Sequence, residues 1–146
     1  MQSRLDFYKA SPDAAKAMIA MQAAVNKLSL KSSLLELVKL RASQLNGCAY
    51  CVDVYSTDAR RQGERDRRLH AVAVWRESPF FTEEERAALA WTEALTRISD
   101  TGAPDSDYER LSRHFDERQR ADLTVAINTV NAWNRLEMAF RSVSVM

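Results

Sequence analysis

A chain of 146 residues carries one domain's worth of sequence and can bury a real core. Its hydrophobic fraction of 46% and charged fraction of 28% are ordinary for a soluble globular protein. With 21 basic side chains against 20 acidic ones, no global field attracts nucleic acid, an anionic membrane or acidic ligands.

The opening stretch Met1-Gln2-Ser3-Arg4-Leu5-Asp6 holds no apolar run of the signal-peptide kind, and no segment approaches a membrane span. The expected compartment is therefore a reducing cytoplasm. Pro12 precedes a first helix expected from about Asp13 to Leu28, with Ala14, Ala17, Met18, Met21 and Val25 on one face. Ser33 opens a second helix, with Glu36 three residues on as the partner of a capping box. Leu34, Leu37, Val38, Leu40 and Leu45 give it an apolar side, and Asn46-Gly47 ends it.

A third helix is expected from Cys48 to about Gln62, where Gly63 stops it, and a fourth from about Glu64 to Arg76. The five arginines at 60, 61, 65, 67 and 68 fall here, interleaved with Asp58, Glu64 and Asp66, as on a solvated surface. Thr82-x-x-Glu85 marks the start of a fifth helix, which carries Ala88, Leu89, Trp91, Thr92 and Leu95 to about Ser99. After the Asp100–Pro104 loop, a short helix spans Ser106 to His114. A last one runs from Asp116 through Leu123, Ile127, Val130 and Trp133 to about Phe140. No run alternates as a strand would. The expected fold is all-α, a single-domain bundle of six to seven helices over residues 1–146.

Cys48 and Cys51 are the chain's two cysteines, three residues apart. Three readings fit such a pair: small buried hydrophobes, half of a zinc site, or a redox dithiol. Zinc needs two further ligands, and the two histidines, His70 and His114, stand at no finger-like spacing. No metal or cofactor is expected. A thioredoxin-type pair follows a strand, whereas this one follows a helix and an Asn-Gly turn. The first turn of a helix favours thiolate over thiol, and Cys51 lies on the same face as Cys48. Redox chemistry is the leading reading.

The segment Glu36-Leu37-Val38-Lys39-Leu40-Arg41-Ala42-Ser43-Gln44-Leu45-Asn46-Gly47-Cys48-Ala49-Tyr50-Cys51 resembles the core of AhpD-like alkylhydroperoxidases, in the carboxymuconolactone decarboxylase superfamily. Ala73–Glu77 with Ala90–Thr96, and Ile127–Arg135, resemble the same family, so the likeness covers about residues 30 to 141. It implies an all-α domain that assembles as a homo-oligomer, a trimer or hexamer. It implies a peroxide substrate, with Cys51 as the attacking thiolate, Cys48 as the resolving thiol and an external dithiol as reductant. It places Glu36 in a proton relay. The family pattern continues Cys-x-x-Cys-x-x-x-His, and this chain has Tyr55 in the histidine's place. Tyr55, Tyr50 between the cysteines, and His70 on the following helix are therefore candidate supporting residues.

Other residues read more plainly. Glu36 serves as a cap on local pattern alone, and as a site residue by the resemblance. Trp75, Trp91 and Trp133 are expected core anchors or subunit contacts. Asn128, Asn131 and Asn134 suggest hydrogen bonds to neighbouring loops or chains, and Arg135 suggests an ion pair. Two other functions stay open: a decarboxylase acting on a carboxylated lactone, and a non-catalytic oligomeric redox sensor.

Overall fold

The computed structural model describes residues 1–145. Nine α-helices follow one another among these residues. They are α1 (Phe7–Ala10), α2 (Pro12–Val25), α3 (Ser32–Asn46), α4 (Ala49–Arg61), α5 (Asp66–Ala71), α6 (Glu83–Thr96), α7 (Ile98–Thr101), α8 (Asp105–Ser112) and α9 (Glu117–Phe140). A 3-10 turn at Val72–Val74 follows α5. The all-α expectation holds, but six to seven helices is too few.

Both additional helices are single turns, too short to show a 3.6-residue period. Asp6 caps α1 by accepting a hydrogen bond from the Lys9 N–H. At Arg97 the backbone leaves helical geometry (φ −108°, ψ 37°), so the expected fifth helix divides there and α7 continues for one turn. Gly102, at φ 64°, closes α7 in the left-handed conformation that glycine adopts without a Cβ clash. The expected fourth helix tightens after six residues into the 3-10 turn, whose Val72 is fully buried.

The capping boxes divide as well. Thr82 and Glu85 exchange both hydrogen bonds at the start of α6, as the sequence predicts. Ser33 does not cap α3, because that helix starts one residue earlier behind Lys31. Glu36 then falls inside the buried face and its carboxylate is free for other partners.

Helix α3 is the organising element and packs against α4, α6 and α9. Leu34, Leu35 and Val38 join Ala87, Ala88 and Trp91 of α6, Leu111 of α8, and Leu123 and Ile127 of α9. Leu37 and Leu40 meet Ala59, Leu69, Val72, Trp75 and Leu89 in a second cluster. Each fully buried leucine stabilises the fold by about 1.5–3 kcal/mol over its exposed state. Helix α2 behaves differently. Only Ala15 and Val25 are buried on it, so Ala14, Ala17 and Met21 are exposed where a core face was expected. A third small cluster ties the N-terminus to α9 through Phe7, Ala15 and Trp133. No helix among the described residues is long and apolar enough to cross a membrane.

Candidate redox site

The junction of α3 and α4 builds the cysteine pair. Gly47 caps α3 at φ 70°, and the Cys48 N–H returns to the Ser43 carbonyl at 3.0 Å. This reversal makes Cys48 the N-cap of α4, where its sulfur accepts from the Cys51 N–H at 3.3 Å. The two cysteines form a disulfide, with Cα atoms 5.3 Å apart. Both are buried, at 1% and 2% exposure.

A polar network holds the turn from behind. Asn46 donates to Asn131 at 2.9 Å and to Asn134 at 2.8 Å, and Asn134 donates to the Ser43 hydroxyl at 2.9 Å. Asn131 also donates to the Thr96 hydroxyl. The expected asparagine repeat therefore splits, since Asn128 is exposed.

Cys51 opens on a cavity of about 610 Å³, and Glu36, Tyr50 and Tyr55 share its wall. Cys48 does not line it. Glu36 is 6% exposed. One carboxylate oxygen receives the Lys39 ammonium at 2.5 Å and the Gln62 amide at 3.3 Å. The other, Oε2, is buried with no hydrogen-bond partner. A buried acceptor without a donor is costly, and such atoms call for an explanation in a native structure.

Tyr55 sits one turn after Cys51 on α4, with the Lys39 ammonium 5.0 Å from its ring centre. Burial, reinforced by the negative charge of Glu36, pushes its phenol well above the ordinary tyrosine range. It is a hydrogen-bond donor and no base at neutral pH. Tyr50 is also pushed up, by burial and then by Glu137.

His70 is not brought to the site. Its neighbour Leu69 points inward, and His70 is left exposed on α5. Arg135 is exposed and, among the described residues, forms no ion pair within 4.0 Å. Trp75 and Trp91 are core residues, whereas Trp133 lines the cavity and donates to Gln22 at 3.1 Å. Among the described residues, no group of three or more His, Cys, Asp and Glu side chains is placed to hold a metal ion.

Sequence reasoning missed several wall residues. Lys39 lies three positions after Glu36 on the same helix, a spacing that pairs charges. Glu137 continues the buried stripe of Val130, Trp133 and Asn134 on α9, where a carboxylate is out of place. Tyr8, Gln22 and Gln62 carry no local signal, since long-range packing alone brings them in.

Residues 12–94 match the carboxymuconolactone decarboxylase family. The uncharacterized protein YdfG of Bacillus subtilis (strain 168) is 39% identical over 139 residues, which is 95% of each chain. A crystal structure of an Agrobacterium tumefaciens protein of unknown function, a candidate antioxidant-defence protein AhpD, superposes with a TM-score of 0.98. It is 43% identical and covers 99% of both chains. The crystal structure of the debrominase Bmp8 shares the fold, with a TM-score of 0.85 at 24% identity over 94% of this chain and 74% of that one.

Proposed function

The chain belongs to the carboxymuconolactone decarboxylase family, and we propose that it acts there as a thiol-dependent peroxidase cycling between a Cys48/Cys51 dithiol and their disulfide. The observation that carries this reading is the bonded pair with Cys51 on the cavity wall beside the unpartnered oxygen of Glu36. The antioxidant-defence description of the Agrobacterium relative points the same way.

In the reduced protein the Cys51 thiolate attacks the terminal oxygen of a hydroperoxide. The O–O bond breaks, Cys51 becomes a sulfenic acid, and the leaving alkoxide takes a proton to depart as an alcohol. Cys48 then attacks the Cys51 sulfur, forming the S–S bond and releasing water, which stops oxidation at a recoverable stage. An external dithiol supplies the two electrons and two protons that regenerate the thiols. The free oxygen of Glu36 is the acceptor for the proton that a hydroperoxide or thiol must give up, and Tyr55 is a fixed donor. Once reduced, Cys51 sits in the first turn of α4, the kind of position that favours thiolate over thiol.

The test uses the reduced protein, its Cys48→Ser and Cys51→Ser variants, a stoichiometric organic hydroperoxide and a panel of dithiol reductants. Wild type loses both thiols to one intramolecular disulfide and turns over repeatedly. Cys51→Ser is inert, and Cys48→Ser accumulates a trappable sulfenic acid. Intact thiols in the wild-type protein after peroxide, read by mass spectrometry, defeat the proposal.

A further inference from the structure

Tyr8, Tyr50 and Glu137 line both the main cavity and an adjoining recess of about 450 Å³. Glu137 is 9% exposed and lies in the last turn of α9, a turn that holds no basic residue. The end of a helix is the negative pole of its dipole, where a cation is favourable and a carboxylate is not; the cation here is the Arg4 guanidinium, which donates to the Ala139 carbonyl at 3.2 Å and forms no ion pair with Glu137. The other acids on the cavity wall each have a cationic partner. Glu36 holds Lys39, and Asp58 pairs with Arg61 at 3.5 Å. Among the described residues, Glu137 has no Lys, Arg or His nitrogen within 4.0 Å.

Its effect is felt across the cavity. The Tyr8 phenol is raised by burial first and then by the Glu137 charge. Tyr50, beside Cys51 in sequence, is raised by burial and the same charge. Tyr8 itself is held in place by the chain's N-terminal segment. The Arg4 N–H donates to the Phe140 carbonyl at 2.8 Å, and the Phe7 ring stacks on Phe140 with centroids 6.2 Å apart. The apolar part of the cavity wall comes from Val25, Leu35, Val54 and Trp133.

We propose that Glu137 is a specificity-determining residue, and that this cavity takes uncharged or cationic organic hydroperoxides with an apolar body while rejecting those that carry a carboxylate. This inference rests on the peroxidase reading. The carboxylate of a ligand entering here meets a carboxylate that has no ion-pair partner within 4.0 Å among the described residues, in a partly dry site where like charges repel more than in water. An O–H or N–H donor on the ligand instead finds a ready acceptor.

The test has two arms, and one does not depend on turnover. In the first, the oxidised protein is titrated with 2-phenyl-2-propanol and with its para-carboxylate and para-aminomethyl forms, using calorimetry. In the second, kcat/KM is measured for cumene hydroperoxide and its para-carboxylate. We expect the carboxylate to be weaker by about tenfold or more in both arms, from a like charge within one cavity width. The aminomethyl compound binds at least as tightly as the uncharged one. Glu137→Gln narrows the carboxylate penalty at least threefold. Equal binding of the carboxylate and the uncharged alcohol overturns the inference, as does a ratio that Glu137→Gln leaves unmoved in folded protein. Absence of all peroxide turnover with the binding order intact defeats the peroxidase reading and leaves the charge selectivity standing.

Discussion

Replacing Lys39 with methionine separates the charge balance of the site from its shape. The Lys39 and Glu36 side chains are only 12% and 7% exposed, and their charged atoms meet at 2.5 Å. Methionine fills the lysine stem's volume but leaves the carboxylate with the single amide of Gln62. Breaking one member out of a buried pair costs about 3–5 kcal/mol, because the remaining charge is unpaired and dry. For a chain of this size that corresponds to roughly 10–16 °C in Tm. Removing both charges should cost far less, so Lys39→Met with Glu36→Gln returns to within about 1–2 kcal/mol of wild type. The assay is urea unfolding of the three variants and wild type, each reduced and oxidised, so that the disulfide's own contribution is subtracted. A Lys39→Met loss below about 1 kcal/mol, or a double variant no better than the single, refutes the buried-pair argument.

Three further outcomes are expected. Tyr55→His should raise the peroxide-oxidation rate of the reduced protein tenfold or more at neutral pH and add an ionisation near pH 6.5, whereas wild type shows none from Tyr55, whose phenol stays protonated; stopped-flow thiol loss across pH 5–9 reads this, and an unchanged rate contradicts it. Burial alone would raise the Glu93 carboxyl, but hydrogen bonds from Arg76, Trp75 and Arg41 outweigh it and hold it low. Its stabilisation is therefore fully present above the ordinary carboxylate range and lost as pH falls through the lowered native value, so Glu93→Gln should flatten the acid limb of a stability profile followed by tryptophan fluorescence. Asn134→Ala takes one hydrogen-bond partner each from the buried Ser43 and the half-buried Asn46, and should cost about 2 kcal/mol in urea unfolding; a loss within 0.5 kcal/mol, roughly the scatter of a surface change, would show that the network tolerates the gap.

What the sequence made legible was periodic or local. Long helices such as α3 and α9 repeat their apolar residues often enough to declare themselves, and Asn46-Gly47-Cys48 announces its own turn. Single turns such as α1 and α7 cannot repeat anything. The Ser33–Glu36 pair looked like a cap because that spacing is the same one that places Glu36 on the buried face; which role it takes depends on where the helix starts, and Lys31 decides that. The cavity was only half visible. Cys51, Glu36, Tyr50 and Tyr55 come from adjacent helices, whereas Trp133 reaches Gln22 across 111 positions of sequence. Long-range pairings of that kind leave no local pattern to read. His70 fails for a related reason, because a one-residue difference in helical phase turns Leu69 in and His70 out.

The exchange of histidine for Tyr55 has a consequence for how the proposed chemistry divides its labour. A histidine near its pKa can give or take a proton, so one side chain serves both directions. A phenol held above its usual range can only give a hydrogen bond, and Lys39 beside its ring does not change that direction. Accepting must then fall to another group. The Glu36 Oε2 atom is the buried acceptor without a partner, on the same cavity wall as Cys51. With donor and acceptor on separate residues, losing either one should be felt independently. Glu36→Gln should abolish proton acceptance and slow Cys51 oxidation by about a hundredfold, while Tyr55→Phe should slow it by about tenfold. The double variant then shows the sum of the two losses in free energy, provided the groups act on different protons. A double variant no slower than Glu36→Gln alone would mean that both residues serve one proton, and the division of labour would be wrong.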